Sequence, residues 1–273
     1  MQCAPSKGNQ KYTCYSLDSL KKIAKEYNRK YGRPFIKIKD KSRIQLWQDI
    51  RKRLSDRCNS NDSCWIEQDF VKNTNNNEIL NNTFKPKMPN EWKNDMTIWL
   101  NTDDIDNIMK QYEKKYKNFF FVGPVPIDCN INGNLMCQLT NFNVNKMYKR
   151  GINKIGIIYN TDTSNGPGEH WQSVFCDISR KKITFFDSYA SKPSDEIMYL
   201  MKKLQYDLKN GKNNIMMDIE WNKKRHQYDG YNCGMYSMFF IIQMLEGKTL
   251  SQINRMKLDT NKMQKLKKIY YRL

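Results

Sequence analysis

The sequence predicts an α+β fold, a central mixed sheet flanked by helices and preceded by a helical N-terminal arm. Three observations carry the prediction. Apolar residues recur at helical spacing as far as about residue 72, and from about Asp95 strand-like runs alternate with helical ones. A polar, asparagine-rich stretch from Lys72 to Asn94 separates the two patterns. The boundary is therefore placed after Asn94, giving an arm and linker over 1–94 and a second domain over 95–273.

In the arm, Ser16 precedes a helix whose face carries Leu17, Leu20, Ile23, Ala24, Tyr27 and Tyr31. A serine there accepts a hydrogen bond from a backbone N–H that the first helical turn cannot satisfy. Ser42 plays the same part before Ile44, Trp47, Ile50 and Leu54, and the link Arg33-Pro-Phe-Ile-Lys-Ile-Lys39 reads as short, basic and extended. In the second domain, Asn101 or Thr102 caps a helix with Ile105, Ile108, Met109, Tyr112 and Tyr116 on one face. Its early Asp103, Asp104 and Asp106 suit the positive end of the helix dipole. Strands are expected at Ile155–Tyr159, Trp171–Ile178, Ile183–Asp187 and Asn214–Trp221. Ser194 starts a helix with Ile197, Met198, Met201, Leu204 and Leu208, stopped by Asn210-Gly211. Cys233–Leu245 reads as an apolar helix ending at Gly247, and Asn261–Tyr271 as a basic terminal helix.

The formal charge of +19 favours nucleic acid, anionic surfaces or acidic protein segments as partners. A solvated lysine- and asparagine-rich surface accounts for the same number. Basic clusters at Arg51-Lys-Arg53 with Arg57, and at Lys262, Lys265, Lys267, Lys268 and Arg272, would give salt-dependent, sequence-independent affinity if they met phosphates. Non-specific nucleic acid is therefore carried as a candidate partner. No apolar run approaches the roughly 20 residues of a membrane span, and the first ten residues lack the apolar core of a secretory signal. The eight cysteines are accordingly expected as reduced thiols in a cytosolic setting. Cys3, Cys14, Cys58 and Cys64 lack the close pairs of a zinc site, so no metal and no cofactor are expected. A disulfide formed under oxidising conditions is the other reading of those four.

The chemistry concentrates on four positions. The chain holds only two histidines, and His170 opens a series that continues with Asp187, Gln227 and Cys233. Cys233 stands at the predicted start of an apolar helix, where the dipole favours thiolate over thiol, and Gly234 beside it permits close approach. His170 follows the turn Asn165-Gly-Pro-Gly-Glu169 and begins one strand, and Asp187 ends the next. If the two strands form a hairpin, those ends lie side by side, which pairs an imidazole with a carboxylate. Gln227, in the loop before Cys233, could donate to a developing oxyanion together with the Cys233 N–H. His226 is the competing base, nearer in sequence but with no acid evident beside it.

His170-Trp171, Asp187-Ser188, Gln227 and Cys233-Gly234, with Trp99-Leu100-Asn101 upstream, resemble the ubiquitin-like (SUMO) protein-specific cysteine proteases, a group that includes polyprotein-processing proteases of large DNA viruses. The resemblance runs from about Asp95 to the end of the chain. It implies a papain-like, adenain-like core in permuted order, with Cys233 as nucleophile, His170 as base, Asp187 orienting it and Gln227 serving the oxyanion. It also implies that Trp99 and Trp171 clamp a Gly-Gly substrate tail. The segment from Cys58 to Ile66, before that domain, is similar to the arm of the African swine fever virus protease. Together these imply an endopeptidase cutting Gly-Gly-X sites in viral polyproteins, in the virion and host cytoplasm. A SUMO- or ubiquitin-like deconjugating isopeptidase and a DNA-binding virion protein with a vestigial site are the alternatives. The first two helices with their link resemble a SAP-like DNA-binding module, which bears on the last of these.

Overall fold

A computed structural model describes residues 2–8, 10–130 and 137–272. The fold is α+β. The chain divides into two compact units, one ending at Lys87 and including Arg272, the other running from Met88 to Tyr271.

The first unit is built from helices α1 (Leu17–Tyr31), α2 (Arg43–Arg53), α3 (Ser55–Cys58), α4 (Asp69–Lys72) and α5 (Asn77–Asn81). Ser16 caps α1 through the Ser19 N–H, and Ser42 forms a capping box with Gln45 at the start of α2, as the serine spacing predicts. Tyr15 is fully buried, stacked on Trp65 at 5.2 Å between ring centroids and edge-on to Phe84 at 5.2 Å. The cysteines expected as reduced thiols are paired instead: Cys3 with Cys14 and Cys58 with Cys64, and Cys129 with Cys137 in the second unit. The physical reason is local. A short helical turn at Pro5–Lys7 lies between Cys3 and Cys14 before α1, and Cys58 closes the four-residue α3 shortly before Cys64; the Cα atoms of the two pairs stand 5.3 and 5.5 Å apart, within ordinary bridging range.

The asparagine-rich stretch read as a linker holds α5, capped by Asn76, with Ile79 buried. Beyond it, Met88 and Trp92 lie in the core of the second unit, and the Trp92 indole donates to the Ile98 carbonyl at 2.8 Å. The division between units therefore falls after Lys87 rather than after Asn94.

The second unit continues with α6 (Thr102–Lys115), β1 (Phe119–Pro126), α7 (Val144–Lys149), β2 (Lys154–Asn160), β3 (Trp171–Asp177), β4 (Lys182–Phe186), α8 (Asp195–Lys209), β5 (Asp218–Trp221), α9 (Cys233–Leu245), α10 (Leu250–Arg255) and α11 (Thr260–Tyr270). The strands form one mixed sheet in the order β1-β2-β3-β4-β5, with parallel outer pairs and an antiparallel centre. Alternate side chains of each strand face opposite ways, which divides the core into two layers. Phe119, Phe121, Ile158, Phe175 and Phe186 meet α6, α9 and α11 on one face. Ile155, Ile157, Val174, Cys176, Ile183 and Phe185 meet α7 and α8 on the other. Helix α9 is buried along its whole length except at Gln243, the signature of a helix inside a core. Among the described residues no helix is long and apolar enough to cross a membrane.

In the second unit β1, α7 and α10 were not expected. Strand β1 contains Pro124 and Pro126, and it pairs with β2 alone; an edge strand tolerates residues that cannot donate to a ladder. Gly123, at φ +128°, lies where the β1–β2 register shifts. Helix α10 is only six residues long but carries a capping box between Thr249 and Gln252.

Candidate active site

The β3–β4 hairpin places two of the four candidate residues. Ser173 pairs with Phe186 and the register runs antiparallel from there, so the residue before β3 and the residue after β4 share one end of the hairpin. His170 and Asp187 meet at that end, with His170 Nε2 2.6 Å from Asp187 Oδ1. Asp187 is completely buried. Its Oδ2 accepts from the Ser191 N–H at 2.9 Å, and Oδ1 also accepts from the Tyr189 N–H at 3.2 Å. Asn222 braces its backbone twice: Asn222 Oδ1 accepts from the Asp187 N–H at 3.0 Å, and Asn222 Nδ2 donates to the Asp187 carbonyl at 2.7 Å. Burial acts to raise the Asp187 carboxyl, but the hydrogen bond and charge of His170 and the bonds from Ser191 outweigh it, leaving it below its ordinary range.

The third residue arrives from the layer beneath. Helix α9 packs against β3 and begins at Cys233, whose thiol is near enough to the His170 ring to help raise it. With Nε2 turned to Asp187, Nδ1 is the ring nitrogen left for the thiol. Burial alone would lower His170, but the Asp187 hydrogen bond, and after it Cys233, push it up to about 9. The imidazole is stacked on the Tyr189 ring at 4.7 Å. No side chain caps α9, so the N–H groups of its first turn, including that of Cys233, point from the positive end of the helix. Gly234 makes the close packing feasible: a Cβ there would stand 3.3 Å from both Leu100 Cδ1 and Trp171 Cδ1.

Gln227 is also fully buried, but its amide is engaged. Its Oε1 accepts from the Ser188 hydroxyl at 2.6 Å, and its Nε2 faces the Asp229 carbonyl at 2.9 Å, Asp229 Oδ1 at 3.2 Å and Tyr189 Oη at 3.3 Å. The Gln227 N–H in turn donates to the Ser188 carbonyl at 3.0 Å. His226, the competing base, is buried with its Nε2 3.4 Å from Asn254 Oδ1, and burial lowers its pKa. It faces Phe186 and no carboxylate partners it among the described residues.

Trp171 is buried, its indole donating to the Leu100 carbonyl at 3.1 Å, whereas Trp99 is 40 % exposed. Both line an open groove of about 530 Å³, together with Asn160 and the Gly166-Pro167-Gly168 turn. The lining also includes Leu100, Pro124, Val125 and Pro126, so the groove is partly apolar.

Sequence reasoning missed Tyr189, Asn222 and Asp229, which contact His170, Asp187 and Gln227, and Asn232, which bonds Asp229. Asn232, directly before the predicted helix, carried a signal as a candidate cap; its side chain instead donates to Asp229 Oδ2 at 2.9 Å. Lys267 was read only as part of a basic cluster. It is buried over the Trp92 ring at 4.2 Å, and burial lowers it to about 8 against the opposing pull of Asp229, Asp95 and Cys233.

A thiol, an imidazole and a buried carboxylate converging on one end of a mixed sheet are the working parts of a cysteine peptidase. Residues 150–273 match the C-terminal catalytic domain of the Ulp1 protease family. The chain is 32% identical to a protein of Acanthamoeba polyphaga mimivirus named as a thiol protease, over 99% of this chain and 93% of that one. It is 27% identical to a cysteine protease of African swine fever virus over 47% of each chain, and counterparts from other isolates are named SUMO-1 cysteine protease. The crystal structure of the African swine fever virus protease matches the fold with a TM-score of 0.72 at 21% identity, over 100% of this chain and 96% of that one. The chain belongs to the Ulp1 protease family and is a cysteine peptidase.

Proposed function

We propose that this peptidase is a viral endopeptidase that cleaves precursor polyproteins after Gly-Gly during virion maturation, in the virion and host cytoplasm. The observation that carries the reading is a groove lined by both Trp99 and Trp171, the latter directly following His170, which pairs with Asp187. Indole walls admit glycine and exclude larger side chains. The similar relatives are proteases of large DNA viruses, which supports a viral peptidase.

In this reading His170, raised to about 9, takes the Cys233 proton and holds it as the imidazolium while the resulting thiolate acts as nucleophile. The thiolate attacks the scissile carbonyl, a C–S bond forms and the carbonyl electron pair moves to oxygen. The Cys233 N–H and the Gln227 amide donate to that oxyanion. His170 then gives its proton to the departing amine, leaving a thioester. Neutral His170 takes a proton from water, the hydroxide equivalent attacks the thioester, and the acid product leaves as the thiolate is restored. Asp187 keeps the ring in one orientation throughout.

Cys233→Ala should abolish cleavage of a Gly-Gly-X reporter peptide, and retained cleavage would refute the assignment. The second reading is a deconjugating isopeptidase, favoured by the same groove and by the SUMO-1 name of some relatives. Vinyl-type probes built on ubiquitin or SUMO separate the two, since a polyprotein specialist should label poorly. Non-specific nucleic acid remains a candidate ligand of the basic surface, where Arg51 stacks on Trp47 at 5.0 Å; a gel shift with salt titration tests it apart from catalysis.

A further inference from the structure

The loop from Gln227 to Asn232 leads directly into the nucleophile, yet it belongs to no helix or strand. Its order comes from hydrogen bonds, and most of them converge on one residue, Asp229. Asp229 Oδ1 accepts from the Asn232 N–H at 2.9 Å, the Tyr231 N–H at 3.1 Å and Gln227 Nε2 at 3.2 Å. Asp229 Oδ2 accepts from Asn232 Nδ2 at 2.9 Å and from the Thr260 hydroxyl, on α11, at 2.7 Å. The Asp229 carbonyl accepts from Gln227 Nε2 at 2.9 Å and from Tyr189 Oη at 2.9 Å. Through these contacts one residue touches the candidate oxyanion amide, the ring stacked on His170 and the residue preceding Cys233.

We propose that Asp229 is a positioning residue for the peptidase reaction, holding the Gln227 amide and the backbone entering Cys233 in the attitude an oxyanion requires, with Thr260 anchoring it to the C-terminal helix. This rests on the reading of Cys233 as nucleophile and Gln227 as oxyanion donor. The geometry of the amide explains how. An amide nitrogen carries two N–H groups. One is shared between the carbonyl and Oδ1 of Asp229, and the other faces Tyr189 Oη at the longer distance of 3.3 Å. The longer contact is the one an oxyanion can replace, while the Asp229 bonds keep the amide plane from turning. Oxyanion stabilisation depends on donors held in advance, so a freely rotating glutamine would lose most of it. Burial acts to raise the Asp229 carboxyl, but donors from Asn232, Thr260 and Tyr231 outweigh it and keep it ionised, in the form that accepts all of these bonds.

The test compares two reactions of the same thiol in the full-length protein. Acylation by p-nitrophenyl acetate passes through an oxyanion: the Cys233–carbon bond forms, the carbonyl pair moves to oxygen, and collapse expels p-nitrophenolate. Alkylation by iodoacetamide displaces iodide and forms no oxyanion. Asp229→Asn preserves size but turns an acceptor into a donor, and should slow acylation about 10- to 100-fold, approaching the loss of a whole oxyanion donor, while alkylation at each pH stays within about threefold. Gln227→Ala should show the same selective loss, and the double variant should lose no more than the larger single effect, because the two act as a unit. Thr260→Val, which removes one bond and keeps the loop's charge, should fall in the same direction by about two- to fivefold. Equal loss of both reactions in Asp229→Asn, unchanged acylation, or additive losses in the double variant would each overturn the proposal. The ester carries no peptide specificity, so failure of the Gly-Gly reading leaves this test intact. An acylation burst that survives Cys233→Ala would instead mark the failure of the nucleophile assignment.

Discussion

The two units of this chain hold themselves together by different means, and the contrast bears on where chemistry can be placed. The second unit closes through long-range strand pairing, with an apolar layer on each face of the sheet and α9 buried within one layer. The first unit contains no sheet strand among its described residues and, after α2, only short helices, and its cysteines are joined in two disulfides. Cross-links stabilise chains whose cores are small. A sheet, by contrast, fixes side chains at strand ends to within the tolerances that proton transfer needs, and His170 and Asp187 occupy such ends. The two free cysteines of the described residues, Cys176 and Cys233, both lie in the second unit. Burial first, then the charge of Asp177, raises the Cys176 thiol far above its ordinary range, so it stays inert in the sheet core.

The largest expected effect separates those two thiols. Cys233→Ala should reduce peptide cleavage by about 10⁴-fold or more, whereas Cys176→Ala should leave kcat unchanged and lower stability by about 1–2 kcal/mol. Kinetics on the two variants check this, and equal losses of activity would erase the distinction between the thiols.

Asp187→Asn should lower kcat by about 10²–10⁴-fold by removing the partner that orients the imidazole. The pH dependence sharpens the point. His170 is raised from 6.5 to about 9, so the stabilisation it draws from its partners is fully present below 6.5 and is lost as pH rises through 9. Activity should decline over the same alkaline window. In Asp187→Asn burial is less opposed, and the alkaline limb should move to lower pH. A limb that stayed at the wild-type position would show that Asp187 does not set the imidazole.

Trp99→Ala should raise KM for a Gly-Gly peptide by about 10-fold, with little change in unfolding temperature, since that indole is 40 % exposed and a stacking contact contributes about 1 kcal/mol. Trp171→Ala, at a buried position hydrogen-bonded to Leu100, should cost both affinity and about 3–5 kcal/mol of stability. Steady-state kinetics with parallel thermal melts distinguish the two.

The smallest effect on activity belongs to the cross-links of the first unit. The double variant Cys14→Ser with Cys64→Ser opens loops of 11 and 6 residues and should remove about 2–3 kcal/mol per disulfide. Thermal unfolding should show an early transition that wild type lacks. An unchanged melting profile would mean the arm does not depend on its disulfides.

Legibility followed the range of the interaction responsible. The α1, α2, α6 and α8 helices could be read because serine or asparagine caps and apolar periodicity are local signals, and the capping bonds are present in each. The His170–Asp187 approach could be read because a hairpin needs only two adjacent strands and a turn. The β1 strand could not be: its prolines argue against a strand until the sheet order makes it an edge. The arm cysteines were misread because charge and the polar start of the chain speak to setting, not to which sulfurs the turns bring together. Gln227 was legible as a residue, but the engagement of its amide by Asp229 and Tyr189 depends on side chains 2 and 38 positions away.

The sequence by itself therefore determined the identity and order of the candidate chemical groups, since residue type, helix caps and strand periodicity are encoded within a few positions. Only the tertiary structure decided which groups touch. Packing α9 under β3 brings Cys233 to His170, the loop around Asp229 sets the Gln227 amide, and chain turns choose the sulfur pairs. The first of those contacts joins elements far apart in the chain, and the others join near neighbours whose side-chain directions no local pattern specifies.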